Sequence, residues 1–144
     1  MDPKLSYRQA AVQGASPVRL VVLLYEQVLE DLRRALNAQL CGRIEERTRH
    51  LNHALLVIGH LESSLNQERG GQVAVNLSQF YRQVRAGLKE AQFRQSASAI
   101  ETQIAHLMLV REAWEQVDSA SAQSPGLAPS SPQTGAQPKR GWQA

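Results

Sequence analysis

His50, His53 and His60 fall within one predicted helical segment, and His50-x-x-His53 has the spacing of a metal pair. On a helical wheel, however, His53 and His60 point nearly opposite the apolar Leu51/Leu55/Ile58 face, so a solvated polar face is expected. A bundle dimetal centre needs Glu-x-x-His from two helices with the carboxylates turned inward, and no Glu here has a His three residues later. Cys41 is the single cysteine, which excludes an internal disulfide framework and a cysteine-based zinc site. It falls in a turn with no neighbouring His, so it reads as a small turn residue rather than a nucleophile. Gly70-Gly71 reads as a helix end, not a phosphate cradle. The predicted core faces hold no paired carboxylates. The expectation is a protein that is not an enzyme, with no catalytic residues, no cofactor and no metal. A metal-binding helical bundle stays as the alternative from another class.

The elements that position these residues are helical. Four of the six prolines lie after residue 124, none lies between Val18 and Ser124, and no β-branched or aromatic run marks a strand. Ser16 is a good N-cap and Pro17 suits the first helical turn, so a first helix is predicted from Pro17 to about Gln39, closed by Cys41-Gly42. A second runs from about Arg43 to Glu68 with Ile44, Leu51, Leu55, Ile58 and Leu65 inward and Ala54 and Leu61 beside them. Arg69 complements its dipole, and Gly70-Gly71 ends it. The third spans about Gln72 to Phe93, with Val73, Leu77, Tyr81, Val84 and Leu88 on one face and Phe80 and Ala91 at its flank. The fourth begins near Ser98, where Ser98-x-x-Glu101 suggests a capping box, and buries Ile100, Ile104 and Met108 with Leu107, Trp114 and Val117 alongside. Gly59 and Gly87, each costing about 1 kcal/mol against Ala, imply close helix approaches. The fold class is all-α, an antiparallel up-down four-helix bundle. Its domain covers residues 1–118, lead-in included, and a Ser/Pro/Gly/Gln-rich tail over 119–144 is expected to be disordered.

Charge narrows the partners. The sequence pI is about 9.4. All 13 acidic residues lie at or before Asp118, and Lys139 and Arg140 lie in the tail, so the folded part is nearly neutral. Its arginines alternate with Glu instead of clustering, which argues against nucleic acid. No stretch approaches the roughly 18 apolar residues of a membrane helix, and MDPKLSYRQ is not a signal peptide, so no membrane insertion and a cytosolic location are expected. The Arg82, Arg85, Lys89 row reads as a wet face, and Trp142 after Lys139-Arg140 as a weak candidate for a short peptide anchor.

The first helix carries an apolar excess. Leu20, Val21, Leu24, Val28, Leu32 and Ala35 line one stripe, and Val18, Val22, Tyr25, Leu29 and Leu36 line a second beside it. Together they span an arc of roughly 200°, against little more than 100° for a bundle helix with one wet side. Either the helix is central to its bundle, or the second stripe receives an amphipathic helix from a partner.

These residues also resemble a known family. Tyr7, Gln13-Gly14-Ala15-Ser16-Pro17 and Leu24-Tyr25-Glu26 resemble the N-terminal signature of the FliS flagellar secretion chaperones. Ala54 and Ile58, Gly70-Gly71, Asn76-Leu77-x-x-Phe80-Tyr81 and Leu109-x-Arg111-x-Ala113-Trp114 continue the likeness in order over about residues 5–117. Gln92 stands where an asparagine is common, Gln27 where a glycine is common, and the third turn is serine-rich rather than acidic. The resemblance implies a cytoplasmic export chaperone that binds the C-terminal amphipathic segment of flagellin, prevents premature polymerisation and supports delivery to the flagellar type III export gate. Client binding is then expected at Leu5, Tyr7, Val18, Val22, Tyr25, Leu29 and Leu36, with Tyr7 as a movable cover and Ser16-Pro17 as its hinge. The client-free protein is either a monomer or a homodimer sealed through that stripe. A helical adaptor for another secreted or regulatory protein is the second reading among binding modules.

Overall fold

Three short turns fold the chain back on itself, and local capping decides where each falls. The computed structural model describes residues 16–65 and 67–123, apart from the side chains of 67–69 and 121–123. The lead-in with Leu5 and Tyr7, and the tail over 124–144, lie outside the described residues.

Helix α1 (Pro17–Leu40) starts as predicted, with the Arg19 N–H donating to Ser16 Oγ at 3.1 Å. It ends in a Schellman turn: Arg43 N–H reaches the Ala38 carbonyl at 2.8 Å, Gly42 N–H the Gln39 carbonyl at 3.2 Å, and Gly42 adopts φ 74. Helix α2 (Ile44–Ser63) is shorter than expected. Ser63 Oγ and Ser64 Oγ donate to the His60 and Leu61 carbonyls, and such side-chain bonds compete with helix propagation. Helix α3 (Gln67–Arg94) begins upstream of the predicted start and is interrupted at Gly71, whose φ 54, ψ −133 is not helical. Gly70-Gly71 therefore kinks α3 rather than ending α2. A second Schellman turn closes α3, with Ser96 N–H on the Ala91 carbonyl at 3.1 Å and Gln95 at φ 53 in the position Gly42 fills earlier. Helix α4 (Ala97–Gln123) is capped by Ser96, whose Oγ accepts from the Ala99 N–H at 3.1 Å. The predicted Ser98–Glu101 box does not form, and the helix continues past Asp118 to Gln123.

The four helices form an antiparallel up-down bundle in which α1 packs most extensively on α2 and then on α4, while α3 closes the ring against α2 and α4. Cross-helix pairs fix the direction: Glu26 with Arg111 at 2.6 Å and Ser16 with Asp118 at 3.3 Å join α1 to α4, and Gln92 with Thr48 at 2.7 Å joins α3 to α2. The core comprises Leu24, Val28, Leu32 and Ala35 of α1, Leu51, Ala54, Val57, Ile58 and Leu61 of α2, Tyr81, Val84, Leu88 and Ala91 of α3, and Ile100 and Leu107 of α4, among others. Four residues assigned inward by pattern are exposed: Ile44, Val73, Met108 and Val117. Ile44 is the first residue of α2 and precedes its contact with α1, and Val73 follows the kink, where Ala74 takes the buried place. Met108 and Val117 sit on opposite flanks of α4, outside the arc centred on Leu107. Gly87 has the close approach expected of it, since a Cβ there would overlap Gln103 of α4. Gly59 does not: nothing lies within 4 Å of its would-be Cβ.

Candidate functional site

The histidines of α2 differ in their surroundings. His60 is exposed, but His53 is only half-exposed and its Nδ1 lies 2.6 Å from Asp31 Oδ2. Asp31 is 3% exposed and also accepts from Gln27 Nε2 at 3.2 Å. Burial pushes the Asp31 carboxyl above its ordinary range, and the His53 and Gln27 contacts pull it back. His53 thus joins α2 to α1 instead of facing only water. The wheel held the signal, because Asp31 interrupts the Leu20/Leu24/Val28 stripe, where a carboxylate needs a partner. His50 pairs loosely with Glu46 at 3.8 Å. Among the described residues no group of three His, Cys, Asp or Glu side chains is placed to hold a metal ion.

At the end holding the α1–α2 and α3–α4 turns, Arg47 is 3% exposed. It donates from Nη1 to Gln39 Oε1 at 2.6 Å and from Nε to Gln92 Oε1 at 3.2 Å. No carboxylate pairs with it among the described residues. The C-termini of α1 and α3 both lie at this end, and their partial negative charges compensate a guanidinium there. A second buried polar contact crosses the core, where the Tyr25 hydroxyl donates to that of Tyr81 at 2.8 Å. Burial raises the pKa of both phenols.

Val22, Tyr25 and Leu29 are buried, Tyr25 and Leu29 within the core cluster, whereas Val18 and Leu36 are half-buried. Helix α1 packs against α2 and α4, and Tyr25 and Leu29 belong to the core it shares with them. Leu5 and Tyr7 lie outside the described residues.

The exposed apolar surface is elsewhere. On α4, Leu107-Met108-Leu109-Val110 is a run that no single helix face can bury: Leu107 points in, Leu109 is 69% exposed, and Met108 and Val117 flank it. Ala105 and Ala113, one turn either side of Leu109, are exposed with it. That four-residue run was the available sequence signal for this face. A second exposed set, Leu40, Ile44 and Phe93 (85% exposed), decorates the turn end. Such a surface can dock a helix but cannot make or break bonds.

Known proteins resemble this chain over most of its length. The family model described as flagellar protein FliS matches residues 2–121. The chain is 34% identical over 109 residues to the flagellar secretion chaperone FliSB of Pseudomonas aeruginosa, covering 76% of this chain and 86% of that protein. It is likewise 34% identical over 110 residues to the flagellar secretion chaperone FliS of Salmonella typhimurium, covering 76% and 82%. The Vibrio cholerae flagellar secretion chaperone FliS is 28% identical over 116 residues, covering 78% and 85%.

Proposed function

Because this chain belongs to the FliS family of flagellar secretion chaperones, we propose that it is a cytosolic chaperone for flagellin. It holds the C-terminal amphipathic segment of its client, prevents early polymerisation and supports delivery to the flagellar export apparatus. The observation that carries this reading is the outer face of α4, where Met108, Leu109 and Val117 stand exposed on a helix already buried along its other side. A flagellin terminus that self-associates through an apolar stripe loses that option when the stripe lies on another apolar face. Val18 and Leu36, with Leu5 and Tyr7 of the lead-in, extend the client surface in this reading. Val22, Tyr25 and Leu29 support it from within the core. No nucleotide, metal or catalytic group takes part.

Calorimetry with a flagellin C-terminal peptide tests the proposal. Micromolar binding is expected, and Leu109→Glu is expected to weaken it at least tenfold while the helical melt stays within a few degrees of native. Absence of heat and of co-elution at micromolar concentrations overturns it and turns attention to another secreted client.

A further inference from the structure

The outer face of α4 has one more property that client binding does not use. From Glu112 onward the helix carries Glu112, Glu115 and Asp118 and no base. Asp118 is engaged by Ser16 and Arg19, and Glu115 shares Arg111 with Glu26, but Glu112 has no ion pair among the described residues. Glu112, Glu115, Gln116, Ser119 and Ala120 line a shallow depression directly beside the Leu109/Ala113 ridge. An acidic depression next to an apolar ridge matches a short segment in which basic residues stand just before a large aromatic.

The chain itself supplies one. Lys139 and Arg140 are the only charged side chains after Asp118, and Trp142 follows after the single Gly141. The segment leaves from Gln123, at the same end of α4 as the depression. A connection of 19 residues, from Gln123 to Trp142, has a reach of about 25 Å or more. The return from Gln123 along α4 to Glu112 is about 16 Å, so no strain opposes it. The family match stops at residue 121, so this segment is an addition to the shared bundle.

We propose that Lys139–Trp142 docks on the outer face of its own α4, Trp142 over Leu109 and Ala113, and Lys139 and Arg140 against Glu112 and Glu115. Tethering gives the segment an effective local concentration of about millimolar order, enough for a weak contact to be substantially occupied. If this face is also the client surface proposed above, the segment is a tethered competitor that only a well-matched client displaces.

Zero-length carbodiimide cross-linking of the full chain, mapped by mass spectrometry, tests the contact without a client. Intramolecular Lys139–Glu112 or Lys139–Glu115 links are expected. Trp142→Ala should remove most of them, and Glu112→Lys with Lys139→Glu and Arg140→Glu should restore protection of Trp142 from acrylamide in a Trp114→Phe background. Links scattered over many carboxylates and indifferent to Trp142→Ala overturn the proposal. Links found only in a cross-linked dimer, rising with protein concentration, also overturn it and assign the segment to a second copy. In the client arm, Trp142→Ala is expected to tighten flagellin-peptide binding by about three- to tenfold. Unchanged client affinity with intact cross-links refutes competition, and no client binding at all refutes the chaperone reading while leaving the docked segment standing.

Discussion

At the scale of single residues, Asp31 is a buried carboxylate whose principal partner comes from another helix. A buried carboxylate that loses its principal partner bears the desolvation penalty alone, so His53→Ala is expected to cost about 1–3 kcal/mol in chemical denaturation. The pH dependence has a definite sign. Burial raises the folded-state pKa of Asp31 above its unfolded value of 3.8, so the folded state holds this proton more tightly. Its contribution is therefore fully present below pH 3.8 and is lost as pH rises through the folded pKa. Asp31→Asn removes that dependence, and its melting temperature relative to the native chain should climb as pH increases above 3.8. Residues also separate core from surface. Val22→Glu places an unpaired charge where nothing is exposed and should abolish the cooperative melt, whereas Leu109→Glu should not. The sequence showed Val22 as part of an excess but could not say which neighbour covers it, because coverage is a property of helix order around the ring. Asp31 was legible in principle, as a charge inside an apolar stripe. Its partner was not, since His53 reaches it from another helix.

At the scale of elements, the two Schellman turns form a natural comparison. The first places Gly42 in the left-handed position, and the second places Gln95 there. A side chain in that conformation costs about 1–2 kcal/mol, so Gln95→Gly is expected to stabilise the chain by about 1 kcal/mol, read from urea midpoints. The α3–α4 seam makes another prediction. Gly87→Ala gains helix propensity but drives a methyl into Gln103, whose Oε1 is already buried without a partner among the described residues. In a Gln103→Ala background the same change should stabilise by about 1 kcal/mol, and the double-mutant cycle should return a coupling larger than that by the cost of the clash. Helix number, order and starts such as Ser16-Pro17 were legible because caps and periodicity are local. Ser96 and Ser98 both precede the same apolar run, and only the turn geometry of Gln95 chooses between them as caps. Likewise Gly70-Gly71 marked a break correctly but gave no sign that Ser63 and Ser64 would end α2 first.

For the whole molecule, the ring order leaves little of the wide apolar arc of α1 exposed. Helix α1 has a large neighbour on each side, and the apolar surface left over is transferred to the outside of α4. A partner surface on the periphery can be altered without weakening the core, which is why the client and stability predictions separate. The same order brings the start of α1 beside the far end of α4, where Ser16 and Arg19 meet Asp118. That contact has a mechanical consequence. A pull on the two ends loads this seam as a zipper, because the strained pairs lie in line and open in succession, first Ser16–Asp118 and then Glu26–Arg111. Shearing two long helices would require all those contacts to fail together. A chain held at its two ends in a single-molecule trap should therefore yield at low force, peeling α1 from α4 before the α2–α3 half gives way.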